Sequence, residues 1–281
     1  MRVAVTGATG FIGRHVLAEL ETRAVETVAL VRPSIAKPLG FSKGRVVHLD
    51  LHNTPANAFV LMGRPDALIH LAWSGLPNYK SLHHFEHELP AQYQFLKDLI
   101  ESGLQTLVVA GTCFEYGMQS GPLSEDIEPR PTNAYGFAKD ALRRQLEYLK
   151  AVHPYQLTWA RLFYLYGEGQ AGSSLLPLLK QAAERGDQVF NMSGGEQLRD
   201  YLSVAEAASH LVSLALARKD SGAVNVCSGT AISVRKLVEC WIKENGWTIK
   251  VNLGHYPYPD YEPMAFWGDA KKLSTLIDKT T

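Results

Sequence analysis

The chain has 281 residues, 46% of them hydrophobic and 20% charged, enough for a sizeable core in one or two domains. Twenty-eight basic residues balance twenty-eight acidic ones, so no long-range field favours nucleic acid or an anionic membrane surface. No apolar run approaches the ~20 residues of a membrane span, and no secretory leader is expected, because the apolar run over 3–5 is too short for one and leads directly into a glycine turn. Three cysteines, Cys113, Cys227 and Cys240, lack CxxC spacing and suit a reducing cytoplasm, the expected compartment.

A short apolar strand over 3–5 runs into a turn with glycines at Gly7, Gly10 and Gly13, and an amphipathic helix follows over 12–22. That order suits a dinucleotide. Gly7 permits the tight turn, Gly10 lets backbone N–H groups approach a pyrophosphate, and Gly13 lets the helix pack closely on the strand. The helix N-terminus adds partial positive charge. Strands over 27–31, 46–49, 67–71, 106–110 and 157–162 then alternate with helical patterns over 89–102 and 133–151, the rhythm of repeated βαβ units. The expected fold class is α/β, a doubly wound parallel sheet of the Rossmann type with a smaller, interleaved C-terminal portion. Residues 1–166 form the expected dinucleotide-binding domain and 167–281 the substrate-binding portion, where Gly/Ser, Pro and Tyr become frequent.

The second strand ends Val31-Arg32-Pro33. A site selective for NAD places a carboxylate there to hold the ribose 2′-hydroxyl. A guanidinium instead suits a 2′-phosphate. NADP(H) is therefore the expected cofactor, held by Arg32 with help from Arg14, and NAD(H) is the alternative if Arg32 is only a solvated loop residue. His83, His84 and His87, with Glu86 and Glu88 between them, lack recognisable metal-ligand spacing. They are expected on a polar loop or helix edge, with no metal.

Pro131-Thr-Asn-Ala-Tyr-Gly-Phe-Ala-Lys139 opens a helix capped by Thr132 or Asn133. Tyr135 and Lys139 are four apart and share one helical face. An ammonium beside a phenol favours the phenolate and lowers its pKa, which suits proton exchange with a carbonyl or alcohol. Thr112, at the carboxyl end of strand 106–110, is positioned to hydrogen-bond the same oxygen.

Thr6-Gly-Ala-Thr-Gly-Phe-Ile-Gly13, the set Thr112…Tyr135-x-x-x-Lys139 and Arg199-Asp-Tyr201 together resemble the extended short-chain dehydrogenase/reductases, within their nucleotide-sugar epimerase, dehydratase and reductase branch. The resemblance implies Tyr135 as acid/base, Lys139 also on the nicotinamide ribose, and Thr112 orienting the substrate oxygen. It implies cofactor contacts from Gly7, Thr9, Gly10, Phe11, Ile12 and Gly13, from Asp50 and Leu51 near adenine, and from Leu71, Ala72 and Trp73. A nucleotide-diphosphate sugar would be met by Cys113, Phe114, Tyr164, Leu175, Phe190 against the base, and Arg199 on the diphosphate. The segment 222–229 is assigned a structural role, and an isologous dimer through the helices over 89–102 and 133–151 is expected by analogy.

Three departures narrow the chemistry. Cys113-Phe114 stand where the 4,6-dehydratases carry an Asp–Glu pair, and Glu115, one place displaced on a strand-like backbone, is expected to point elsewhere. Tyr164 replaces a common asparagine, and no arginine precedes Tyr261-Glu-Pro263 at the usual place. The leading reading is an NADPH-dependent reductase of a nucleotide-diphosphate 4-keto-(6-deoxy)sugar. A 4-epimerase with tightly held NAD and a non-catalytic dinucleotide sensor are the alternatives.

Overall fold

The computed structural model describes residues 1–34, 41–42 and 44–277. The chain opens with β1 (Arg2–Thr6), α1 (Phe11–Thr22), β2 (Glu26–Val31), β3 (Arg45–His48), a short α2 (Ala58–Leu61) and β4 (Ala67–His70). A π-helical turn, His84–Glu88, runs directly into α3 (Leu89–Glu101), which begins at the expected residue, so helical backbone precedes the apolar period by one turn. Next come β5 (Thr106–Thr112), a 3₁₀ turn over Cys113–Tyr116, β6 (Gly121–Leu123), α4 (Ala134–Leu149), β7 (Gln156–Leu162) and β8 (Tyr164–Tyr166). The remainder is α5 (Leu175–Glu184), β9 (Val189–Asn191), β10 (Leu198–Ser203), α6 (Val204–Ala217), β11 (Gly222–Val226), β12 (Ala231–Ser233), α7 (Val234–Glu244), β13 (Lys250–Asn252), β14 (Phe266–Gly268) and α8 (Lys271–Ile277).

Seven parallel strands form the main sheet in the order β11-β7-β5-β4-β1-β2-β3. Side chains alternate between its faces because successive Cβ atoms point opposite ways. Val3 and Val5 join Val16, Leu20, Ala207 and Leu211 from α1 and α6 on one side. Ala4 joins Phe95, Leu99, Leu142 and Leu146 from α3 and α4 on the other. Both faces are thus covered by helices, the condition under which an all-parallel sheet is stable.

Strand order reverses between β1 and β4, and in such sheets ligands bind outside the carboxyl ends of the strands at that switch point. Thr6 ties these two ends together. Its Oγ1 accepts from the backbone N–H groups of Leu71 (3.1 Å) and Ala72 (3.2 Å) and lies 2.9 Å from His70 Nδ1. Gly7 turns at φ +65°, where a Cβ would stand 2.9 Å from Ala72 N, and a Cβ on Gly13 would stand 2.1 Å from Gly7 O. Neither position has room for a side chain.

The chain beyond 167 does not stay apart from the sheet. β11, the segment assigned a structural role, is its edge strand beside β7, and α6 covers one face. The rest, joined by β8 from just before it, builds a smaller body around the β12-β10-β8 and β13-β9 sheets. Leu179, Phe190, Val238 and Trp241 pack its core.

Candidate active site

The carboxyl ends of β1, β2, β3 and β4 open onto a cavity of about 350 Å³. Thr6, Gly7, Thr9 and Gly10 line it from the glycine turn, Val31 and Arg32 from the end of β2, and Asp50 and Leu51 from the end of β3. Leu71, Ala72 and Trp73 close it from β4. Gly10 is the N-cap of α1, and Phe11, Ile12 and Gly13 form its first turn. The turn therefore offers backbone N–H groups with no side chain in the way, which fits a dinucleotide pyrophosphate.

His52, Ser74, Gly75, Leu76, Glu88 and Gln92 also line this cavity and were not foreseen from the sequence. Glu88 and Gln92 sit four apart on one helical face, a pattern the sequence does carry; His52 and the loop after Trp73 carry none. Glu88 is fully buried and accepts from Ser74 N–H (3.1 Å), Ser74 Oγ (2.7 Å) and Gln92 Nε2 (2.9 Å), with His52 Nε2 at 2.8 Å. Burial pushes its pKa up, but the hydrogen bonds from Ser74, Gln92 and His52 outweigh that and bring it to about 2.

Asn133 caps α4 by accepting from Gly136 N–H at 2.8 Å, and Tyr135 and Lys139 follow on the buried face. Thr112 ends β5 and caps the next turn, accepting from Phe114 N–H at 3.3 Å. Thr112, Tyr135 and Lys139 are all buried. Lys139 Nζ donates to Ala110 O at 2.9 Å and lies 3.9 Å above the centre of the Trp73 ring. Trp73, Tyr79, His84 and Phe114 enclose the Tyr135 ring at centroid distances of 6.0, 5.7, 5.3 and 6.4 Å.

This enclosure overturns one expectation. Lys139 does not bring the Tyr135 phenol below its ordinary value. Desolvation pushes the phenol well up, neighbouring Tyr79, Glu115 and Cys113 add to that, and a hydrogen bond with Thr112 opposes it. Burial instead pulls Lys139 down to about 7, against the attraction of Glu115 and Glu88.

Glu115 does point elsewhere, but on a 3₁₀ turn rather than a strand-like backbone. Its carboxylate lies beneath the site, accepting from Thr112 N–H (2.9 Å), Trp159 Nε1 (2.8 Å) and Arg161 Nε (2.7 Å). The histidine expectation needs a similar correction. His84 is fully buried, whereas His83 reaches Ser74 Oγ at 2.9 Å and the His87 ring lies 5.3 Å from that of His83, tilted against it.

On the substrate side, Phe114 packs on Tyr79 (4.7 Å) and Tyr261 (6.3 Å), and Cys113 is buried beside Phe163 and Phe266. Arg199 is buried in an ion pair with Glu262 at 2.8 Å, its Nη1 donates to the carbonyls of Leu198 and Met264, and Tyr164 donates to the same carboxylate. Phe190 lies in the core of the smaller body, with Leu175 packed against that cluster. The six residues therefore do not line one open cavity.

A model of the NAD dependent epimerase/dehydratase family matches residues 3–227, and the chain belongs to that family. Together with the doubly wound sheet, this makes it an extended short-chain dehydrogenase/reductase of the branch that modifies nucleotide sugars. It is 30% identical over 270 residues to a dTDP-6-deoxy-L-talose 4-dehydrogenase (NAD(+)) of Aggregatibacter actinomycetemcomitans, covering 95% of this chain and 99% of that one. It is 31% identical to a dTDP-6-deoxy-L-talose 4-dehydrogenase (NAD(P)(+)) of Kitasatospora kifunensis, covering 92% and 83%. Among solved structures, MoeE5 in complex with UDP-glucose and NAD superposes with a TM-score of 0.82 at 27% identity, covering 99% of this chain and 92% of that one. Among the described residues no helix is long and apolar enough to cross a membrane.

Proposed function

We propose that this chain is a nucleotide-diphosphate-sugar oxidoreductase acting at C4 of a 6-deoxyhexose, working as an NADPH-dependent reductase of the 4-keto sugar. The observation that carries the reading is the buried set Thr112, Tyr135 and Lys139 beside a cavity fitted to a dinucleotide. Residues 1–166 hold the cofactor in this reading and residues 167–281 supply most of the sugar-nucleotide contacts. A bound nicotinamide supplies the hydride that reduces C4.

Tyr135 gives its phenolic proton to O4 as C4 is reduced, completing the alcohol, and the phenolate regains a proton from solvent. Thr112 donates a hydrogen bond to the same oxygen. Lys139 carries the positive charge that makes the transient phenolate tolerable inside the aromatic enclosure. Glu115 is committed to Arg161 and Trp159, which leaves no acid at its position for elimination chemistry and argues against a dehydratase.

Arg32 at the cavity rim supports NADP(H), since a guanidinium grips a 2′-phosphate through paired charge-assisted bonds. Exposed Phe137 and Tyr148 on α4 support a homodimer through α3 and α4, and the three unpaired cysteines suit the cytoplasm.

The second reading, a 4-epimerase with tightly held NAD, uses the same three residues for a transient oxidation. Supplying dTDP-6-deoxy-L-talose with NADP⁺ or NAD⁺ and following reduced-nicotinamide absorbance separates the two. Net reduction of added NADP⁺, lost by about 10²- to 10⁴-fold in Tyr135→Phe, is the expected outcome. Stoichiometric NAD after purification, without net turnover, would favour the epimerase. Full activity in Tyr135→Phe would remove both readings.

A further inference from the structure

Lys139 is held from elements far from its own helix in sequence. Its ammonium has three N–H bonds. One goes to Ala110 O and the indole face of Trp73 receives the charge at 3.9 Å. Trp73 is in turn fixed by its own N–H, which donates to His84 Nδ1 at 3.1 Å. His84 Nε2 stands 2.8 Å from the carbonyl of Asn78. A carbonyl only accepts, so Nε2 carries the proton and Nδ1 presents the lone pair that the indole needs. The tautomer is dictated by geometry. The two rings also stack, 6.4 Å apart at 26°, and His84 has no exposed surface.

We propose that His84 is a positioning residue for the reaction: as a neutral imidazole pinned by Asn78, it orients the Trp73 indole so that its face stabilises the Lys139 ammonium beside Tyr135. The inference rests on the proposed use of Tyr135 and Lys139. It adds a chain of contacts, Asn78 to His84 to Trp73 to Lys139, that starts in the loop after β4 and ends at the acid/base pair.

The arrangement has a consequence for charge. The groups acting on Lys139 are Glu115 of the 3₁₀ turn after β5, Glu88 of the π-helical turn before α3, and His70 at the end of β4. Those acting on His84 are His83 and Glu88 on its own helix and Lys139 from α4. Burial and the nearby Lys139 ammonium favour the neutral form of His84, so its acceptor nitrogen stays free for the indole. Losing the indole face removes a desolvated cation–π contact from Lys139 and shifts its midpoint downward by about one pH unit.

The test compares His84→Leu, His84→Gln and Trp73→Phe with the parent. Gln offers an acceptor to the indole and a donor to Asn78 from one amide; Leu offers neither. In cofactor-free protein labelled with ¹³C-lysine, the Lys139 signal, assigned through its loss in Lys139→Met, should titrate at about 7 in the parent. It should titrate about one unit lower in His84→Leu and return toward the parent in His84→Gln. With dTDP-6-deoxy-L-talose and NADP⁺, kcat falls about tenfold in His84→Leu with little change in sugar KM. Trp73→Phe, which keeps a ring but loses the N–H, falls between Leu and Gln.

Equal Lys139 midpoints and equal kcat in Leu and parent would overturn the proposal, as would equal loss in Leu and Gln. If His84→Leu does not fold, the Gln and Phe variants decide alone: a Lys139 midpoint and kcat unchanged in Trp73→Phe would overturn it. A fully active Tyr135→Phe would instead sink the functional reading itself.

Discussion

Arg161 donates its Nε–H to Glu115 at 2.7 Å, and both side chains are sealed from solvent. The same carboxylate holds Trp159 and the Thr112 backbone N–H, so a single acid fixes the floor of the site. Glu115→Gln leaves the guanidinium uncompensated in a dry environment and should cost about 3–5 kcal/mol of stability. Denaturant unfolding measures this. An unchanged midpoint would mean that water reaches Arg161.

Lys139 makes the protein's stability depend on pH with a defined sign. Its folded pKa is about 7 against 10.5 for the free side chain, so between these values the unfolded chain binds more protons and stability rises with pH. Lys139→Met removes that burden. The variant should melt above the parent at pH about 6, and the gap should narrow by pH about 9. A gap that widens with pH would reverse the sign argued here.

Cofactor choice is expected to turn on the exposed guanidinium at the end of β2. Arg32→Asp replaces a grip on the 2′-phosphate with repulsion and should lower the NADPH-to-NADH ratio of kcat/KM by at least about tenfold. Isothermal titration with the two cofactors gives the same comparison without turnover. An unchanged ratio would return the site to NAD(H).

On the sugar-nucleotide side, Arg199 is already paired with Glu262. Glu262→Gln should destabilise the unliganded protein by about 3 kcal/mol, because the guanidinium then lacks its counter-charge. If Arg199 meets a diphosphate, dTDP should raise the melting temperature more in this variant than in the parent. Equal shifts would place the diphosphate elsewhere.

Much of this was legible before any coordinates. The glycine turn, the strand–helix alternation and the Tyr135/Lys139 spacing are local patterns, and all six strands proposed from apolar runs lie within two residues of those observed at both ends. Asn133, one of two candidate caps, is the one used. What escaped depended on residues far apart in sequence. Nothing near Glu115 announces Arg161, and nothing near Arg199 announces Glu262. The desolvation that raises the Tyr135 phenol comes from rings at Trp73, Tyr79, His84 and Phe114, which the i,i+4 spacing with Lys139 cannot reveal.

The amino-acid order by itself determined the architecture and pointed to the proposed reacting groups, because helix period, strand alternation and glycine geometry act over a few residues. Only the tertiary structure decided the charge state of those groups and the company they keep. Electrostatic energies inside a protein depend on which side chains exclude water and which converge across the fold, and that convergence is a property of packing rather than of neighbouring letters.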